Sequence, residues 1–198
     1  MKKFLTIGGL DDKMKHKNHI ESNEQHKYAR LANASYYYDD QDYVQNELFS
    51  YMNELSGFEL DTEFSTEEHS IFHNKQSKET VIAYRGTTNM KDVGTDSQIA
   101  VGNEQNTERY KKSDDVFKSV SEKYGKENVV TVGHSLGGNV SLHIAGKYDI
   151  EGHHYNAAIS PTQVFSKDHH NNTNTQNIQR TKIDPVSVGG EVIGDNQK

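Results

Sequence analysis

Residues 129–138 read Val-Val-Thr-Val-Gly-His-Ser-Leu-Gly-Gly, and the fold turns on how that stretch is read. The β-branched run Val129, Val130 and Val132 predicts a buried parallel strand, and Leu136 to Lys147 predicts the helix after it. Between them lies a Gly-x-Ser-x-Gly turn, with Ser135 at its apex and Gly133 and Gly137 two positions to either side. A serine on so sharp a strand-to-helix turn projects its hydroxyl from the sheet edge, where the following backbone N–H, that of Leu136, can meet a developing oxyanion. In so tight a bend a Cβ at either flank would collide with neighbouring backbone, so small residues are needed there. Five-residue motifs recur by chance, and the bland reading is an ordinary strand–turn–helix. The flanking strand and helix give this one its weight.

Working outward, Arg109 to Tyr124 reads as a helix, with Val116, Phe117, Val120 and Tyr124 at helical spacing and Gly125 as its stop. Beyond the turn helix, strands are expected at His154–Ile159 and Ile178–Ile183, separated by the polar loop Ser166–Gln176. Upstream, short strands are expected at Phe58–Phe64, His69–His73 and Thr80–Tyr84, the last two joined by a polar turn around Asn74–Lys78, as in an antiparallel entry to a sheet. Tyr28–Tyr38, about Asp42–Leu55 and Asp92–Val101 read as helices, and the tyrosine run Tyr36–Tyr38 reads as helix-end packing. The second helix places Val44, Leu48, Tyr51, Met52 and Leu55 on one face, with Gly57 as its stop. Strands alternating with helices in the second half define an α/β fold: a mixed, mainly parallel sheet with helices on both faces. A polar N-terminal lead-in over residues 1–24 is expected to precede a single domain over residues 25–198.

A length of 198 residues suits one domain. The composition is polar, 32% hydrophobic with no Trp, and no apolar run nears the roughly 18 residues of a membrane span, so no transmembrane segment is expected. Met1 to Leu10 open basic and briefly apolar, but Asp11, Asp12 and Lys13 cut the stretch short of a signal-peptide core. No export signal is read, and the compartment stays open. The chain has no cysteine, hence no disulfide framework and no thiolate metal site. A net charge of −7 argues against a nucleic-acid partner. It is compatible with transient contact at a lipid interface.

Three landmarks, Ala83-Tyr84-Arg85-Gly86-Thr87, Gly133-His134-Ser135-Leu136-Gly137-Gly138 and Ile183-Asp184-Pro185-Val186, resemble the class 3 lipases, α/β-hydrolases that act on acylglycerols and phospholipids. The first is similar to the family's strand ending in Arg-Gly-Thr or Arg-Gly-Ser, whose hydroxyl residue contributes to the oxyanion hole. The middle landmark resembles its nucleophile segment, and the last resembles the strand end that carries its catalytic aspartate. The resemblance covers roughly residues 25–190 and includes Asp92 and Asp96, which we assign to structure. It implies an α/β-hydrolase domain over residues 25–198, short at its C-terminus, that hydrolyses lipid esters through an acyl-enzyme on Ser135. It implies neither a cofactor nor a metal. Thr88–Asn106 occupies the usual place of a lid in the lipases it resembles.

The roles also follow from topology. Strand C-termini of a parallel sheet gather on one edge, and Thr87, Ser135 and Asp184 each follow an expected strand. Ser135 would attack the ester carbonyl; the N–H groups of Leu136 and Thr87, with the Thr87 hydroxyl, would bind the oxyanion; Asp184 would orient an imidazole. The fold's order is Ser, Asp, His, yet Pro185 to Lys198 hold no histidine. Losing the histidine of a comparable triad costs about 10⁶ in kcat. The chain is therefore truncated, recruits another histidine, or is a catalytically impaired homologue serving as a lipid- or partner-binding module. An acyltransferase would share the same nucleophile chemistry. Among the eleven histidines, His134 points away from its neighbour Ser135, His143 lies about 12 Å along the helix, and His153 and His154 open a strand at the opposite edge. His169 and His170 lie in a loop leaving the active edge and are the substitute-base candidates, set against the bland reading of a solvated Asn- and Thr-rich loop. No third ligand accompanies them for a metal.

Overall fold

Val81 and Ala83 pack into one hydrophobic cluster and their neighbours Ile82 and Tyr84 into another, all four buried. A strand buried on both faces is the mark of a parallel-type core layer covered by helices on each side. The computed structural model describes residues 27–42, 44, 55–86, 104–157 and 176–179. In them a six-stranded sheet runs β1 (Phe58–Thr66), β2 (His69–Asn74), β3 (Thr80–Tyr84), β4 (Val129–His134), β5 (Gly152–Tyr155) and β6 (Gln176–Gln179), in that spatial order. The first three strands pair antiparallel and the rest parallel. Residues 27–34 form helix α1, which tightens into a 3₁₀ turn at Ser35–Tyr37; α2 spans Glu104–Tyr124 and α3 spans Leu136–Tyr148. This is the mixed, mostly parallel α/β architecture expected.

The parallel crossovers β3–α2–β4 and β4–α3–β5 step in the same direction across the sheet, so right-handed connections put both helices on one face. There Phe117 and Val120 of α2 join Val140, Ile144 and Ala145 of α3 over Ile71, Ile82, Tyr84 and Val129. On the other face Tyr28, Leu31, Ala32 and Ala34 of α1 cover Phe72, Val81, Ala83, Val130 and Val132. Each fully buried Val, Leu or Ile contributes about 1.5–3 kcal/mol, so these two clusters hold the sheet between its helices. Lys111 and Lys112 lie exposed on the outer side of α2. Among the described residues no helix is long and apolar enough to cross a membrane.

Several boundaries differ from the sequence expectation: β1 and β2 run on to Thr66 and Asn74, past the expected Phe64 and His73, and β5 ends at Tyr155, short of the expected Ile159. Helix α2 begins at Glu104, not Arg109. Strands β5 and β6 begin at Gly152 and Gln176, two residues before the expected His154 and Ile178. The reason for the two early strand starts is a buried polar network that apolar periodicity does not register. His154 is fully buried, with Nδ1 3.0 Å from the Ser141 hydroxyl and Nε2 2.6 Å from Gln176 Oε1. Gln176 also donates to the Ile150 carbonyl, 3.0 Å away. His154 pairs in register with Gly133, so it does not lie at the opposite edge. Val44 and Leu55 are buried as expected, while residues 45–54 and the Asp92–Val101 helix lie outside the described residues.

Candidate active site

Strand β4 ends at His134, α3 begins at Leu136, and the single residue between them, Ser135, takes φ 55° and ψ −123°. That combination lies outside the left-handed helical well and costs an L-residue on the order of 1–3 kcal/mol. Surrounding bonds hold it there. The Ser135 N–H donates to the Tyr155 carbonyl at 3.0 Å, and the Asn139 N–H donates to the Ser135 carbonyl at 3.1 Å. The glycines let the helix start press on the strand ends: a Cβ on Gly133 would lie 2.2 Å from the Gly137 oxygen, and one on Gly137 only 2.1 Å from the Tyr84 oxygen.

A serine at a helix N-cap ordinarily folds its hydroxyl back onto an N–H of the first turn. Ser135 occupies the N-cap of α3 and makes no such bond. It is half-buried, as is Leu136, whose N–H stands at the positive end of the helix. A negative charge forming beside Ser135 would meet that end.

The exit of β3 closes on the same spot. A Cβ on Gly86 would lie 3.5 Å from the Ser135 Cβ. The Gly86 N–H donates to the Tyr36 hydroxyl at 3.1 Å, and that hydroxyl stands 3.4 Å from His134 Nδ1. Burial pushes the Tyr36 phenol above its ordinary pKa, against the hydrogen bond from Gly86 and the charges of Arg85 and Arg109. Arg109, half-buried, donates from Nη2 to the Arg85 carbonyl. Burial lowers its pKa, opposed by Glu68 and by Tyr110, Tyr36 and Tyr84, but a guanidinium keeps its charge at any pH a protein survives. Burial also raises the Tyr155 phenol.

Of the residues singled out from sequence, Ser135 and Leu136 stand at this turn, and Gly86, which precedes Thr87, packs against Ser135. Thr87, Asp184, His169, His170, Asp92 and Asp96 lie outside the described residues, as do residues 88–103 of the lid segment; its last three residues belong to α2. His143 packs on Tyr110 with ring centroids 4.7 Å apart. His153 packs on Tyr28 at 3.8 Å and reaches Glu151 at 2.8 Å. Among the described residues no cluster of three or more His, Cys, Asp or Glu could hold a metal ion. Tyr36 and Arg109 were missed: the tyrosine run signalled only a helix end, and Arg109 one polar position on α2.

An α/β sheet with a strained serine between a parallel strand and the helix over it defines the class. The chain belongs to a phospholipase-like family, the Tle-like phospholipase domain, whose family model matches residues 27–198. That membership brings lipid-ester hydrolysis in general and is broader than the class 3 resemblance. No curated protein and no solved structure matches the chain.

Proposed function

We propose that the chain is a serine hydrolase of lipid esters, with Ser135 as nucleophile in a class 3-like site within a single domain over residues 25–198. The observation that carries the proposal is the backbone of Ser135, φ 55° and ψ −123°, together with a hydroxyl that does not cap its helix. Strain of this kind persists only where surrounding structure over-determines it.

In the proposed cycle the Ser135 Oγ bonds to the ester carbonyl carbon while its proton passes to an imidazole. The carbonyl oxygen becomes an oxyanion, received by the N–H of Leu136 and by Thr87 through its N–H and hydroxyl. Collapse breaks the bond to the alcohol, which leaves with the proton from the imidazole and deposits the acyl group on Ser135. Water repeats the sequence, releasing the acid. Asp184 orients the imidazole, and His169 or His170 supplies it. No step requires a metal or cofactor. The partner in this reading is a phospholipid or acylglycerol met at a lipid interface.

Fluorophosphonate labelling tests the proposal on the parent chain, Ser135→Ala and a His169→Ala/His170→Ala double variant. Labelling is expected in the parent only. Retention of label in the double variant would move the base to another histidine, and a parent that takes up none would leave a lipid- or partner-binding member of the family. Acyl transfer to an added alcohol in place of free acid would turn the hydrolase into an acyltransferase.

A further inference from the structure

A backbone peptide carries its acceptor and its donor on opposite sides. At Arg85–Gly86 both are gripped by side chains that come from opposite faces of the sheet. The Gly86 N–H donates to the Tyr36 hydroxyl, 3.1 Å away on the turn that ends α1. The Arg85 carbonyl accepts from Arg109 of α2. The Arg85 guanidinium lies over the Tyr36 ring, 5.7 Å from its centroid. Only glycine permits the arrangement, because a Cβ at position 86 would lie 2.3 Å from the Tyr36 hydroxyl and 2.7 Å from the His134 carbonyl. The gripped peptide therefore reaches Ser135, with 3.5 Å between that Cβ position and the Ser135 Cβ.

We infer that Tyr36 and Arg109 are positioning residues that clamp the Arg85–Gly86 peptide and so fix the backbone beside Ser135. The inference rests on the reading of Ser135 as the nucleophile. A peptide bonded at both polar groups cannot swing about its flanking bonds. With one bond gone it can, and the wall of the site loses its fixed orientation just before Thr87. A pre-set arrangement of donors and dipoles accelerates a reaction because nothing has to reorganise when charge forms. Misplacement by about 1 Å costs on the order of 10²-fold.

The test is steady-state hydrolysis of a soluble p-nitrophenyl ester by the parent, Ser135→Ala, Tyr36→Phe, Arg109→Gln, Arg109→Lys and the Tyr36→Phe/Arg109→Gln pair. Thermal unfolding and hydrogen exchange at the Gly86 amide are followed alongside. Tyr36→Phe and Arg109→Gln are each expected to lower kcat about 10–100-fold with KM little changed. Arg109→Lys, which keeps a donor, should recover part of the loss, and the pair should lose less than the product of the single losses, because both grip one peptide. The Gly86 amide should exchange faster in both single variants. Parental kcat in Tyr36→Phe and Arg109→Gln, with hydrolysis abolished by Ser135→Ala, overturns the clamp alone. So does a loss of kcat that simply follows the fall in unfolding temperature with Gly86 exchange unchanged. A parent that hydrolyses no ester, or whose hydrolysis survives Ser135→Ala, overturns the nucleophile and this role with it.

Discussion

Helix α3 is bounded by two non-glycine residues with positive φ, and they do different work. Asp149, at the C-terminal end, takes φ 52° and ψ 60° and turns its N–H onto the Ala145 carbonyl. That is the left-handed well in which many helices stop, and a short polar side chain such as aspartate enters it at modest cost. Ser135, at the N-terminal end, has nearly the same φ but ψ −123°, which is outside that well. Asp149 needs only local bonds within its own helix end. Ser135 is held by a strand on one side and by a close-packed pair of glycines on the other. Positive φ alone does not mark a functional residue; what matters is whether distant structure is required to maintain it.

Four substitutions probe that contrast, with effects from very large to slight. The most drastic is Ser135→Ala, which on the proposed mechanism lowers kcat for ester hydrolysis by about 10⁶; a loss under tenfold would place the strain elsewhere than in nucleophile chemistry. Next comes Gly137→Ala, whose methyl would meet the Tyr84 carbonyl 2.1 Å away. It should cost roughly 3 kcal/mol or more in denaturant unfolding, and a near-parental midpoint would show that the helix start can retreat from β3.

Smaller, and of opposite sign, are Ser135→Gly and Asp149→Gly. Relief of the Ser135 backbone, less the flexibility glycine adds to the unfolded chain, should stabilise by about 1 kcal/mol while abolishing hydrolysis. Asp149→Gly should stabilise by less, under about 1 kcal/mol, and leave hydrolysis intact. Equal gains at the two sites would erase the distinction drawn between them.

The slightest effect concerns the pH at which that pair must be compared. Burial holds the His69 imidazole below its ordinary value of 6.5, against its bond to the Phe64 carbonyl and the charge of Glu68. The unfolded chain therefore takes up this proton at higher pH than the folded one, so the associated stability is complete above about 6.5 and is lost as pH falls toward the folded value. Unfolding midpoints should decline from pH 7.5 to 5.5, and less steeply in His69→Gln. Parallel declines would remove His69 from the account.

Much of the fold was legible because the core follows simple periods. The continuous apolar run of β3 and the valines of β4 marked the central strands, and Phe117 and Val120 marked the buried side of α2. What escaped was polar. Gly152 and Gln176 start β5 and β6 two residues earlier than apolar spacing suggests, through bonds among His154, Ser141 and Gln176 that no hydrophobic pattern encodes. In the site, the glycine spacing around Ser135 was readable because a local bend dictates it. Tyr36 and Arg109 were not, since they reach Gly86 and Arg85 across 50 and 24 residues of chain. Nothing local distinguishes Tyr36 from the two tyrosines that follow it.

Among the described residues, strand order in space repeats strand order in the chain, and this bears on how the protein is made. During synthesis each strand from β2 onward emerges after the one beside which it will lie. None of the six described strands has to wedge between two that have already paired. Growth of the described sheet is then a matter of addition at one edge, in step with translation, and the growing edge left open at each stage is the one the next strand will cover.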